Sequence, residues 1–300
     1  MTPTLELRSL RKAYRDTVAV DGVSFAVPPG TVFGLLGPNG AGKTSTLRMV
    51  MDIIAPDRGE VLFAGRPRTR ADLERIGYLP EERGLYRRMT VIDHLGFLGE
   101  LNGVPRREGT ARARRWLERL ELAETADKKV EELSKGMQQK VQIAGTLLHE
   151  PELVILDEPF SGLDPINQVL FKDLLAEHKR EGRTIVLSTH VMEQAEKLCD
   201  HICLIAHGRS VLAGELGAIK REMGGNSFRL VAAGDLGRVA ALPGVLEVLD
   251  DGGTLRVLLE PGADGAALLR QMVGFLDVRE FVGAEPDLGE IFVRAVRDAA

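Results

Sequence analysis

Cysteine is nearly absent from this chain. Two residues among 300, Cys199 and Cys203, cannot make a disulfide framework, and a reducing compartment is the expectation. Excess positive charge is missing too. A formal net charge of −5 argues against a general nucleic-acid binder and leaves only local basic patches for such a role. The opening MTPTLELRSLRKAY is charged and has no apolar stretch, so it does not read as a signal peptide. One uncharged run, Gly22 to Gly42, is long enough to test as a membrane span. Pro28, Pro29, Pro38 and several glycines would break a helix there. No transmembrane segment is expected, and any membrane role must come through a partner. What remains is a chain 44% hydrophobic, enough for a sizeable core in one large or two smaller domains.

The chain is organised around GLLGPNGAGKTSTL, Gly34 to Leu47, which reads as a buried strand, a glycine-rich loop and a helix. Gly37, Gly42, Lys43 and Thr44 fit G-x-x-x-x-G-K-[ST]. Glycine at 37, 40 and 42 lets the backbone turn where a Cβ would clash, so successive N–H groups form an anion cradle. A helix beginning near Gly42 adds its positive dipole end. Lys43 is placed to reach the β- and γ-phosphates of a nucleotide, and the Thr44 hydroxyl to meet Mg²⁺.

Around this loop, residues 5–10 and 18–27 alternate as antiparallel strands. Tyr14 lies between them, either as strand-end packing or as a platform for adenine. Short strands follow at GEVLFAG and at Ile76 to Leu79. A helix is expected from about Thr90, and another, rich in solvated arginine, from Arg106 to Leu122. Ser134 is a natural N-cap, with Val141, Ala144, Leu147 and Leu148 on the buried face of its helix. Leu153 to Leu156 and RTIVLSTH read as buried parallel strands, separated by a helix from Asp164 to Glu181. A helix at Val191 to Leu198, a last strand HICLIAHG and a closing helix GELGAIKREM complete a mostly parallel α/β sheet. Met223 to Asn226 looks like a linker. Beyond it, four strands and three helical stretches suggest a small α+β, ferredoxin-like domain. It carries no chemical motif and reads either as a regulatory or dimer-supporting module or as a structural appendage.

Two acids end the first buried strand. Asp157 is placed to hold Mg²⁺ opposite Thr44, and Glu158 is the candidate general base for an attacking water. His190 ends the next strand, at the same sheet edge, where its hydrogen bond could fix the γ-phosphate and the water. Ser134 and Gly136, before a helix, make a second anion site far along the chain. One loop and one such turn per chain suggest two chains facing head to tail, closed by nucleotide. Cys199, His201, Cys203 and His207 lack zinc-ligand spacing and have core-like neighbours, so no zinc site is expected.

GPNGAGKT, LSKGM, VILDEP, SGLD and the STH histidine, in this order, resemble the ATP-binding subunit of an ABC transporter over roughly residues 4–220. The resemblance implies an α/β P-loop NTPase with an antiparallel β subdomain and a helical subdomain near residues 85–150. The domains then run 1–222 and 227–300. Tyr14 matches the adenine-stacking aromatic. Gly37, Pro38, Asn39, Gly40, Ala41, Gly42, Lys43, Thr44 and Ser45 match the phosphate loop. Ser134, Lys135 and Gly136 match the signature, Asp157 and Glu158 the magnesium acid and catalytic base, Asp164 the D-loop, and His190 the switch histidine. Two positions depart from the pattern: Glu81 stands where glutamine is usual, and Met137 where glutamine follows the signature glycine. Glu81 can still touch Mg²⁺ or water. Both departures, with PEERGLY and the small C-terminal domain, resemble a bacterial subgroup near sodium-exporter ATPases that serve ABC-2-type permeases. ATPase activity with ATP and Mg²⁺, a second ATPase subunit (a homodimer) and an integral-membrane permease are implied, with the chain cytoplasmic and peripheral on the inner face of the cell membrane. Residues 85–102 would meet the permease, although Val91, Leu95 and Leu98 could equally be core. A soluble relative acting on ribosomes or DNA would usually show two cassettes or a long coiled coil, and neither is visible. Intact Lys43, Asp157, Glu158 and His190 count against a non-catalytic regulator.

Overall fold

A computed structural model describes residues 2–82, 84–224, 226–260, 262–284 and 286–298. The chain falls into two compact units, one up to Ala213 and one from Gly214 onward.

The first unit opens with β1 (Leu5–Tyr14) and β2 (Thr17–Val27), an antiparallel pair whose inward side chains are Leu5, Leu7, Val20 and Val23. Next come β3 (Val32–Leu36), α1 (Lys43–Val50), β4 (Arg58–Phe63), the short β5 (Arg66–Pro67) and β6 (Ile76–Leu79). β2, β1, β4 and β5 form one antiparallel sheet in that order. Three helices follow: α2 (Val91–Leu101), α3 (Arg106–Arg119) and α4 (Lys135–Leu147). The starts of α2 and α4 are set by local chemistry. Thr90 Oγ1 accepts from the Asp93 N–H, and Ser134 Oγ from that of Met137, which satisfies donors the helices leave open. The chain continues through β7 (Leu153–Asp157), α5 (Pro165–Arg180), β8 (Thr184–Thr189), α6 (Met192–Leu198), β9 (His201–Ala206) and β10 (Arg209–Glu215).

The second sheet runs β10-β9-β3-β8-β7-β6, with β9, β3, β8, β7 and β6 parallel neighbours. Every residue of β3, β7 and β8 is buried, as befits strands covered on both faces. Leu47, Met49 and Val50 of α1 share one apolar cluster with Leu5, Leu7 and Val23 of the first sheet and Phe33, Ile155 and Val186 of the second. The helix that leaves the glycine loop is thereby clamped between two sheets.

Two expectations change in this stretch of the chain, and one open alternative closes. The strand at His201 is not the last of this unit: β10 returns beside it through a two-residue turn, His207 and Gly208, with φ of 49° and 78°. Both residues being left-handed is the signature of a tight hairpin turn, but His-Gly lacks the usual Asn or Asp that announces one. Met223 to Asn226 is not a free linker. α7 (Leu216–Gly224) reaches into it, and a strand starts at Asn226, while Gly225 lies outside the described residues. On α2, Val91 and Leu95 are fully buried, which agrees with the core alternative for that face.

The second unit holds α7, grouped here and not with the first unit, then β11 (Asn226–Gly234), β12 (Val245–Asp251), β13 (Thr254–Leu259), α8 (Gly265–Met272), β14 (Leu276–Gly283) and α9 (Leu288–Asp298). Arg294 of α9 donates to the Met223 carbonyl at 3.1 Å, which ties α7 to this unit. The sheet order β12-β13-β11-β14, all antiparallel, is ferredoxin-like. The helical stretch expected near Leu236–Leu242 is present as a 3₁₀ helix, Leu236–Ala241. Leu230, Val257, Leu268 and Met272 centre this unit's own core.

One buried base makes the first unit acid-sensitive. His94 on α2 has no exposed surface, and neither ring nitrogen has a hydrogen-bond partner among the described residues. Burial pushes its pKa down to about 4. The unfolded chain takes up the proton from about pH 6.5 downward, so the stability this histidine contributes is complete above that pH and is lost as pH falls toward 4. Urea unfolding at pH 5 should show about 2 kcal/mol less stability than at pH 7 from this group. His149, whose pKa burial also pushes down to about 4, keeps its own share, so His94→Phe, which fills the space without titrating, should reduce the loss by about that amount and not abolish it. An equal loss in both proteins would clear His94 of the effect.

Candidate nucleotide site

The parallel sheet brings three strand ends to one edge. Leu36 at the end of β3 stands beside Thr189 of β8, and Ser188 of β8 stands beside Asp157 of β7. The glycine loop, the two acids and His190 therefore leave the sheet together, as the sequence pattern implied.

Two glycines in the loop are dictated by space. Gly37 has φ 153°, and a Cβ there would lie 2.1 Å from the Ile205 carbonyl oxygen. Gly42 has φ 104°, and a Cβ would lie 2.4 Å from the Ala19 carbonyl oxygen. At Gly40 no atom comes within 4 Å, so glycine is required there by its φ of 80° and not by crowding. Gly42 is also the N-cap of α1, whose open N–H groups face the loop. Lys43 is buried, with its ammonium 2.7 Å from the Gly37 carbonyl oxygen, 3.2 Å from that of Pro38, and 3.4 Å from Glu158 Oε1.

A cleft of about 390 Å³ opens over this loop, lined by Asn39, Gly40, Ala41, Gly42, Lys43, Thr44 and Ser45, with Tyr14, Ala19, Glu81 and Glu158 around them. Tyr14, at the end of β1, keeps 43% of its surface exposed, which is more than plain packing would leave. Glu158 has φ 48°, unusual for a residue with a side chain. Its Oε1 lies 3.0 Å from His190 Nδ1 as well as near Lys43. Asp157 is buried. One of its oxygens takes the hydroxyl of Ser188 at 2.5 Å, and Oδ2 has no partner among the described residues. Burial, helped by the Asp157 charge, raises the nearby Tyr78 phenol to about 12.

Ser134, Gly136 and Asp164 do not line the cleft among the described residues. They form a second group. Asp164 caps α5 through the Asn167 N–H at 2.9 Å, and the Asn167 side chain reaches toward Gly136. Sequence reasoning missed the ties around it. Gln139 of α4 donates to the Pro159 carbonyl at 3.2 Å, and Gln142 to that of Pro80 at 3.3 Å. The available signal was a glutamine-rich run, MQQKVQ, on a helix face otherwise given to core. Ser188 was missed too, one of three hydroxyl side chains in the strand TIVLST, with nothing local to set it apart from Thr184 and Thr189. Cys199 and Cys203 are both buried, with thiols pushed up to about 12 by that burial.

The sequence matches two family descriptions: ABC transporter, over residues 20–161, and ATP-binding protein DrrA1-3-like, C-terminal domain, over residues 214–296. The chain is 41% identical over 294 residues to the uncharacterized ABC transporter ATP-binding protein YhaQ of Bacillus subtilis (strain 168), covering 97% of this chain and 98% of that one. It is 40% identical over 218 residues to Nod factor export ATP-binding protein I of Cupriavidus metallidurans, covering 72% of each. Among solved structures it is similar to one described as the ATP binding subunit of an ABC transporter, with TM-score 0.68 and 33% identity over 74% of this chain and 93% of that one. It is also similar to cbiO1 from Clostridium perfringens, described as part of the ABC transporter complex cbiONQ, with TM-score 0.61 and 30% identity over 75% of this chain and 95% of that one. Likeness over nearly the whole length, on a glycine loop that meets paired acids and a histidine at one sheet edge, has one reading: the chain belongs to the ATP-binding subunits of ABC transporters and is an ATPase.

Proposed function

We propose that this subunit hydrolyses ATP with Mg²⁺ in the cleft between Tyr14 and Glu158, closes on a second cassette when ATP is bound, and drives an ABC-2-type export permease from the inner face of the cell membrane. The observation that carries the reading is the chain of contacts Lys43–Glu158–His190 over the glycine loop, at 3.4 and 3.0 Å. Lys43 neutralises β- and γ-phosphate charge while the loop N–H groups bind the remaining oxygens. Glu158 takes the proton of the attacking water, and His190 holds that carboxylate in place. Tyr14 offers its ring face to the adenine.

The residues fit Mg²⁺. The free, buried Oδ2 of Asp157 is an orphaned acceptor suited to a cation's water shell, and the Thr44 hydroxyl lies in the cleft with Glu81 at its rim. When bound, the ion screens phosphate charge. Because this metal keeps much of its own water, it needs no dense cluster of protein ligands, and none of three or more His, Cys, Asp or Glu gathers among the described residues.

Ser134, Gly136 and Asp164, standing apart from the cleft, serve the nucleotide of a second copy in this reading. A separate cavity of about 390 Å³, lined by Leu85, Leu98, Leu101 and Asn102, suits a permease segment better than the buried Val91 and Leu95 do. No helix among the described residues is long and apolar enough to cross a membrane, and in this reading the permease supplies the span. The relative named for Nod factor export supports export, and the neighbour described as part of the ABC transporter complex cbiONQ supports assembly with partner subunits. The second unit, from Gly214 onward, is then a regulatory or dimer-supporting module.

The test is recovery of the tagged full chain from detergent-solubilised membranes, with the co-purifying proteins identified. An integral-membrane protein in stoichiometric amount is expected. Recovery with ribosomes in the soluble fraction instead would overturn the transport reading.

A further inference from the structure

We propose that Ser188 is a positioning residue for hydrolysis: its hydroxyl orients Asp157 toward the metal and anchors the backbone of Glu158. The inference rests on the proposed Mg²⁺-dependent reading of the cleft.

Ser188 has no exposed surface, and it faces Asp157 directly in the β7–β8 ladder. Its Oγ makes two contacts. The O–H donates to Asp157 Oδ1 at 2.5 Å, the short separation typical of a hydroxyl on a carboxylate. The same oxygen accepts the Glu158 N–H at 3.1 Å, which the Ser188 carbonyl oxygen also receives at 3.2 Å. One hydroxyl therefore touches both acidic residues of the site.

The first contact removes a freedom. A carboxylate on a free side chain turns about its terminal bond and presents either oxygen. Here Oδ1 is taken, so Oδ2, buried and without a partner among the described residues, is the oxygen left for a cation's water shell. Groups that hold a metal-binding side chain from behind commonly change metal affinity or activity 10–100-fold when removed. The second contact acts on the turn. Glu158 has a left-handed backbone, φ 48°, and this is what swings its side chain away from the strand line toward Lys43 and His190. A second acceptor on its N–H holds that turn against relaxation to ordinary strand geometry.

A hydroxyl present only to fill space would predict something else. Ser188→Ala keeps the Glu158 N–H on the Ser188 carbonyl, so the ladder survives. What it loses is the partner of Asp157 Oδ1.

The experiment uses the full-length chain, a fluorescent ATP analogue and Mn²⁺ followed by electron paramagnetic resonance. For Ser188→Ala, nucleotide affinity in EDTA should stay within about twofold of wild type. Mn²⁺ affinity of the nucleotide-bound protein should fall by about tenfold or more, and kcat should fall similarly with KM for ATP unchanged. Ser188→Thr, which retains the hydroxyl, should stay within about threefold of wild type on each measure. If Ser188→Ala does not fold, Ser188→Cys makes the same comparison with a much weaker donor of similar size. Unchanged Mn²⁺ affinity in the variant, or equal losses with and without metal, would overturn the role of Ser188. A wild-type chain that binds nucleotide yet takes up no Mn²⁺ would instead defeat the metal-dependent reading itself.

Discussion

Glu158→Gln should stop steady-state ATP hydrolysis almost completely while leaving ATP bound. The side chain keeps its size, so the contact toward His190 Nδ1 at 3.0 Å and the left-handed turn at φ 48° are retained. What disappears is the basic carboxylate. General-base assistance is worth on the order of 10²–10⁴ in rate, and kcat should fall by that amount. Affinity for ATP should hold or rise, because a negative charge 3.4 Å from Lys43 is removed from the place where phosphate charge must sit. With turnover blocked, the ATP-bound pair of cassettes should accumulate and appear as a dimer in size-exclusion chromatography with light scattering. Wild-type turnover in the variant would remove Glu158 from the role. Blocked turnover without ATP-dependent association would keep the base but discard the head-to-tail pair.

Lys43→Ala should act on binding first. The ammonium is buried and held by the carbonyls of Gly37 and Pro38, at 2.7 and 3.2 Å, so it is fixed over the loop before phosphate arrives. A hydrogen bond to a charged partner contributes about 1.5–3 kcal/mol, so Kd for ATP should rise roughly 10–150-fold. The variant also leaves Glu158 without its cation, which adds repulsion toward the γ-phosphate. Lys43→Arg should not restore binding, because a planar fork cannot replace a compact point charge in a cradle of this size. Isothermal titration calorimetry with ATP, in EDTA and in Mg²⁺, measures both variants. Unchanged affinity for Lys43→Ala would place the nucleotide elsewhere.

How much of this was legible in advance follows from the range of each interaction. The cap at Ser134 and the helix starts at Thr90 and Asp164 were readable because such a start is settled within four residues. The buried strands Leu153–Asp157 and Thr184–Thr189 were readable from their apolar runs. β10 escaped because RSVLAGE mixes polar and apolar residues without clear alternation and sits at a sheet edge, where burial imposes little pattern. The helical stretch near Leu236 was readable too, though not its 3₁₀ form, which ends after six residues just before Pro243. Val91 and Leu95 formed an apolar face whose partner a sequence cannot name. The packing of α2 against α3 and α4 buried it.

The glycine loop, its lysine and the acids at the strand end were written in the residue order, because each is a constraint on a few consecutive backbone units. A Cβ at Gly42 is excluded, however, by the carbonyl of Ala19, on a strand of the other sheet. Asp157 is aimed by Ser188, thirty-one residues away. Such contacts come from which strands lie side by side and in what register. That choice is made by the packing of the whole unit, where burial is shared among distant segments and no local pattern records it.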